Sequence, residues 1–132
     1  MILLLDHIGI AVDDYARSKA FYKAALTPLD IDLLAEYGGW AGFGPAGTAA
    51  AELQKKPSFW IHQTAGAKAP VHVAFAAERR EAVQAFWVAA LKAGGRDNGG
   101  PGIRAQYHPD YFGAFILDPD GHNIEAVCHA PG

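Results

Sequence analysis

Asp6-His7-Ile8-Gly9-Ile10-Ala11-Val12 and Val71-His72-Val73-Ala74-Phe75-Ala76-Ala77 stand 65 residues apart, and their likeness decides the fold. Slid by that offset, the chain aligns on itself without a gap through Leu26 and Leu91. Seven of the 21 aligned positions are identical, His7/His72, Phe21/Phe86 and Leu26/Leu91 among them. Two copies of one supersecondary unit are the simplest explanation.

Each copy opens with an alternating stretch that reads as a strand. A helical pattern follows, with apolar residues at i, i+3, i+4, i+7 and i+8; in the second copy these are Val83, Phe86, Trp87, Ala90 and Leu91. Asp13 or Asp14 caps the first helix and Thr27-Pro28 ends it, while Gly94-Gly95 offers the second a left-handed stop. Glycine-rich turns then divide apolar stretches at 31–37, 39–43 and 58–62, and at 97–104, 111–117 and 122–128. The expectation is an α+β domain over residues 1–132, with module 1 at about 1–66 and module 2 at about 67–132. Each module is a βαβββ unit, and the two form a half-open curved sheet with the helices outside.

Strand alternation separates the faces, because neighbouring side chains point to opposite sides of a sheet. Ile8, Ile10 and Val12 share one face of the first strand, and Val71, Val73 and Phe75 share one face of the fifth. These branched and aromatic residues pack beneath the helices. The other face carries His7 and His72 among small residues, which leaves room for a ligand. On the last strand, entered from Asp118-Pro119-Asp120-Gly121, Ile124 and Cys128 belong beneath a helix and Glu125 shares the open face with the histidines. Two imidazoles and a carboxylate suit a divalent Zn, Ni, Mn or Fe ion with positions left for substrate or water.

Composition narrows the function classes. The chain is 51% apolar and 19% charged, as globular proteins are, and its net charge of −3 leaves no basic field for a nucleic acid. The apolar run Met1 to Leu5 stops at Asp6-His7, too short for a signal-peptide core or a membrane span, so the expected setting is cytoplasmic with no membrane partner. The lone Cys128 reads as a buried structural thiol. Gly42-Phe43-Gly44-Pro45-Ala46-Gly47 matches a dinucleotide fingerprint by chance, since no parallel βαβ series surrounds it.

Asp6-His7-Ile8-Gly9-Ile10 with Phe21-Tyr22, His72-Val73-Ala74-Phe75 and Asp118-Pro119-Asp120-Gly121-His122-Asn123-Ile124-Glu125 resemble the vicinal oxygen chelate superfamily of glyoxalases, bleomycin-resistance proteins and dioxygenases. The resemblance spans nearly the whole chain. It implies that His7, His72 and Glu125 match three of four metal-ligand positions. It also implies a homodimer that often completes its sites from both chains, and a small-molecule substrate chelated through neighbouring oxygens.

The fourth position departs from the pattern, because Trp60 stands 65 residues before Glu125. His62, two residues on, is the candidate for a fourth ligand or a proton carrier. Trp60 and Trp40 are candidates for stacking a flat substrate. In the polar stretch 104–111, His108 and Tyr111 are candidates for acid–base work, and Tyr107 and Arg104 for substrate binding. Three functions fit: a glyoxalase-like metal-dependent isomerase or lyase acting on an oxygen-chelating or thiol-conjugated substrate; a metal-free protein that sequesters an aromatic compound; or a small extradiol dioxygenase.

Overall fold

The computed structural model describes residues 5–46, 56–66 and 68–132. Module 1 comprises β1 (Ile8–Val12), α1 (Tyr15–Leu26), β2 (Ile31–Tyr37), β3 (Trp40–Pro45) and β4 (Phe59–Gln63). Module 2 comprises β5 (His72–Ala76), α2 (Arg80–Lys92), β6 (Arg96–Ile103), β7 (Phe112–Leu117) and β8 (Asn123–Cys128).

The helix boundaries follow from their capping chemistry. Asp14 accepts the Arg17 backbone N–H at 3.1 Å to open α1. After Leu26 the chain tightens into one 3-10 turn, Thr27–Leu29, and leaves it through Asp30 at φ 58°. The second helix ends at Gly94, whose φ of 105° is open to glycine and costly for other residues.

The strands form two four-stranded sheets, ordered β1-β4-β3-β2 and β5-β8-β7-β6. In each, the first strand runs parallel to the last and the remaining pairs are antiparallel. The pairing preserves the internal repeat: Gly9 lies opposite Trp60 and Ala74 opposite Glu125, each member displaced by the same 65 residues. The expected half-open surface is therefore two curved sheets, with β1 and β5 at the edges where they meet. Residues 42–45, read above as a chance fingerprint, lie inside the antiparallel strand β3.

One core joins the modules. Phe21, Tyr22, Leu26, Val83 and Phe86 of the helices pack with Ile10, Val12, Ile61, Ile116 and Ile124 of the strands, all 3% exposed or less. Each such side chain contributes about 1.5–3 kcal/mol by leaving water. Phe59 and Phe75 meet edge to face across the module boundary, with centroids 5.1 Å apart. Cys128 is a buried free thiol, as expected.

A polar pin holds one end of the module junction. Asp118, 1% exposed, takes the Tyr22 hydroxyl on Oδ2 at 2.5 Å and the backbone N–H groups of Asp120 and His122 on Oδ1 at 2.9 Å. Burial and the Asp118 charge hold the Tyr22 hydroxyl protonated well above the usual phenol range. His122 accepts the Val71 N–H on Nδ1 at 3.0 Å, so its ring hydrogen sits on Nε2, which donates to the Ala11 carbonyl at 2.8 Å. One imidazole thus ties β1 to the entry of β5. Asp120 adds bonds from the Asp13 N–H and the Ser18 hydroxyl. By the 65-residue offset, the counterpart of His122 is Pro57, whose ring has no such donor or acceptor.

Candidate functional site

The sheet pairing that fixes the repeat also places the donors. On β5 and β8, His72 and Glu125 stand on a diagonal, since His72 pairs with Asn123 and Ala74 with Glu125. Their side chains meet on the open face: His72 Nε2 lies 3.1 Å from Glu125 Oε1. His72 Nδ1 faces the Asn123 carbonyl oxygen at 2.9 Å. A carbonyl has no hydrogen to give, so Nδ1 carries the ring hydrogen and Nε2 is turned toward Glu125. When the ring is protonated this is an ion pair; when neutral, a nitrogen lone pair and a carboxylate oxygen converge on one point.

Glu125 is 2% exposed, with its other oxygen, Oε2, accepting the Tyr111 hydroxyl. Gly113 leaves room for this contact, since a Cβ there would stand 3.1 Å from the Tyr111 ring and 3.2 Å from Glu125 Oε2. Burial, followed by the Glu125 hydrogen bond, pushes the Tyr111 hydroxyl up to about 12. At neutral pH Tyr111 is therefore a hydrogen-bond donor that holds one carboxylate oxygen and leaves the other free.

His7 repeats the arrangement in module 1. Its Nδ1 lies 2.7 Å from Asp6 Oδ1, which leaves Nε2 available as a donor atom. Lys56 and His7 hold the Asp6 carboxyl below the usual carboxylate range. A cavity of about 310 Å³ opens between the edges of β1 and β5, lined by His7, His72, Ile8, Phe59, Val73 and Phe75. Among the described residues of one chain, however, no three His, Cys, Asp or Glu side chains gather closely enough to share an ion. His72 and Glu125 are brought together, and His7 stands apart from Glu125 across the junction.

Aromatic rings cover the open face of module 1. Trp60 lies opposite Gly42, where a Cβ would meet its ring at 2.8 Å, so glycine makes the space the indole fills. Tyr37 stacks on Trp60 with centroids 6.0 Å apart, and Trp40 meets Trp60 edge to face at 6.4 Å. His62, paired with Trp40 across the strands, stacks on that indole at 4.4 Å, with Nδ1 3.0 Å from the Thr64 hydroxyl. The 65-residue offset matches His62 with Val127, one step beyond the Trp60/Glu125 position.

The polar stretch 104–111 divides in the same way. Tyr111 reaches Glu125, whereas Tyr107 is 61% exposed and touches only the Tyr111 ring among the other aromatics, at 4.8 Å. His108 accepts the Asp110 N–H on Nδ1 at 3.1 Å, so its Nε2 donates to His129 Nδ1 at 2.8 Å, away from the His72–Glu125 pair. Arg104 lays its guanidinium over Phe115, 5.3 Å from the ring centre. The sequence reading missed Asp6, Phe115, Tyr37 and the buried His122. The Asp6-His7 adjacency was a signal for the first; His122 was set aside because it points away from Glu125, and that orientation is what lets it bridge the modules.

A family model, the Glyoxalase/Bleomycin resistance protein/Dioxygenase superfamily, matches residues 4–126. The chain belongs to this superfamily. Solved structures agree in fold. A glyoxalase/bleomycin resistance protein from Albidiferax ferrireducens is 25% identical with a TM-score of 0.74, over 97% of this chain and 100% of that one. A glyoxalase/bleomycin resistance protein/dioxygenase family enzyme from Burkholderia phytofirmans is 17% identical with a TM-score of 0.67, over 95% and 98%. A glyoxalase/bleomycin resistance protein from Catenulispora acidiphila is 17% identical with a TM-score of 0.65, over 96% and 98%. No curated protein matches the chain. Within the superfamily, this member keeps the module 2 donors and carries an indole at the corresponding module 1 position. No helix among the described residues is long and apolar enough to cross a membrane.

Proposed function

We propose that this protein is a glyoxalase-like metal-dependent isomerase or lyase acting on a small oxygen-chelating substrate, with His72 and Glu125 as one half of its metal site and His7 as the other. The observation that carries this reading is the orientation of both histidines. Each ring has Nδ1 held by an oxygen acceptor, the Asn123 carbonyl or the Asp6 carboxylate, and so offers Nε2 outward. Metal-binding histidines are commonly fixed in this way. The donor set of two imidazoles and a carboxylate suits Zn, Ni, Mn or Fe. A bound ion of this kind supplies Lewis acidity toward neighbouring substrate oxygens.

The chain's own residues prepare that chemistry. Tyr111 holds Glu125 Oε2 and leaves Oε1 facing His72. Trp60 and Trp40 give the substrate an apolar wall beside the donors. Because one chain does not gather the three donors, His7 meets the His72–Glu125 pair of a second copy in a homodimer.

Elemental analysis tests this after the protein is loaded with Zn, Ni, Mn or Fe and dialysed. The expected result is about one equivalent per chain, lost in Glu125→Ala and in His7→Ala, and partly recovered when those two variants are mixed. No retained metal in the wild type would overturn the reading. The aromatic surface of Tyr37, Trp40 and Trp60 favours a second reading, a metal-free protein that sequesters a flat compound. Saturable quenching of tryptophan fluorescence by aromatic compounds, without metal retention, would support it.

A further inference from the structure

Arg104 is seated by parts that no packing requirement of the core explains. Its backbone is pinned at both ends of the 104–111 loop, donating to the Tyr111 carbonyl at 2.7 Å and accepting the Tyr107 N–H at 3.0 Å. The guanidinium lies over the face of Phe115 and donates to the Gly100 carbonyl at 2.8 Å and the Gly102 carbonyl at 2.9 Å. The run Asn98-Gly99-Gly100-Pro101-Gly102 curves around it through two breaks in the β6 register. Gly99, at φ 143°, would bring a Cβ within 3.1 Å of both the guanidinium and the Phe115 ring. Glycine here makes room for a cation.

That cation has no counter-charge. Among the described residues Lys19, Lys56, Lys68 and Arg80 each lie within 4 Å of a carboxylate oxygen, and the other lysines and arginines are exposed. Arg104 alone is half-buried with no carboxylate partner. Carbonyl oxygens use two of its five hydrogens without neutralising it, and stacking on a ring keeps the plane fixed with its edge free. Phe115 also lies against His72, ring centres 6.3 Å apart and planes at 24°. The guanidinium therefore stands one phenyl ring away from the His72–Glu125 pair.

We infer that Arg104 is the anion anchor of this site, and that the substrate is a small, ring-bearing oxyanion whose carboxylate or phosphate sits on the guanidinium edge. This rests on the small-molecule reading above and names its substrate class. A planar carboxylate fits the fork with two parallel hydrogen bonds. The remainder of the molecule extends over Phe115 toward His72.

Calorimetric titration with benzoate and its neutral isostere benzamide, in EDTA so that metal plays no part, tests the inference. The expected result is benzoate binding about tenfold tighter than benzamide, a charge-assisted preference of ordinary size. Arg104→Gln should remove that preference and leave benzamide binding unchanged, and Arg104→Lys should restore part of it. In the wild type, the Arg104 Nε–H resonance should shift with benzoate and stay fixed with benzamide, a readout that needs no variant to fold. Equal affinities, no saturable benzoate binding, an unmoved resonance or a preference that survives Arg104→Gln would each overturn the inference. Loss of metal retention would overturn the metal reading alone and leave the anion preference standing.

Discussion

The Tyr22 hydroxyl donates to Asp118 Oδ2 at 2.5 Å, joining a helix of module 1 to the turn that opens the last strand of module 2, 96 residues later. Both partners are buried, so the contact is shielded from water on each side.

Removing it leaves a buried carboxylate short of one partner. Tyr22→Phe should lower stability by about 1–3 kcal/mol, the cost of an unsatisfied buried polar group, read as a lower denaturation midpoint at an unchanged slope. The pH dependence has a definite sign. The folded state raises the Tyr22 pKa, so its contribution is complete below the ordinary phenol value near 10 and disappears as pH rises through the raised value. Wild-type stability should therefore fall above pH 10, with a shallower fall in Tyr22→Phe. An identical alkaline profile in the two proteins would refute the assignment.

His122→Leu keeps the volume of the ring but orphans the Val71 N–H and the Ala11 carbonyl. A loss of about 1–3 kcal/mol per group is expected. Hydrogen exchange should quicken at the Val71 amide, with the amides at the centre of α2 keeping their relative protection.

Gly42→Ala places a Cβ where the Trp60 ring now lies. The indole must tilt off the sheet, disturbing its stacking with Tyr37. A red-shifted tryptophan emission and weaker binding of aromatic probes are expected, with benzoate retaining its preference over benzamide. Unaltered emission would mean that Trp60 does not lie flat over that glycine.

Tyr111→Phe frees the second oxygen of Glu125. Supporting groups of this kind commonly account for 10- to 100-fold in metal affinity, and a drop within that range is expected in a competition titration with a chelating dye. Affinity equal to the wild type would show that Tyr111 does not position the carboxylate.

Much of this architecture was legible in the chain. The interval 31–37 coincides with β2, and the offset of 65 reappears in the pairing of Gly9 with Trp60 and Ala74 with Glu125. Parity alone put His72 and Glu125 on one face, because a strand has only two. What parity could not supply was depth and partnership. His62 and His72 both face outward, yet one stacks on Trp40 and the other meets a carboxylate, a difference set by cross-strand neighbours. Nor does periodicity reveal that β1 and β5 meet as separate edges, or that His122 bridges them, since these are contacts between segments distant in sequence. The ends of β6 were blurred for a local reason: three glycines and a proline weaken any strand pattern.

Pro57 stands where the repeat would put a second His122, and this makes the duplication mechanically lopsided. The modules are riveted along one margin only. At the other margin, around His7 and Phe75, a molecule can wedge the two plates apart without breaking a His122-type bridge, so the cavity is also the seam along which this protein yields most cheaply.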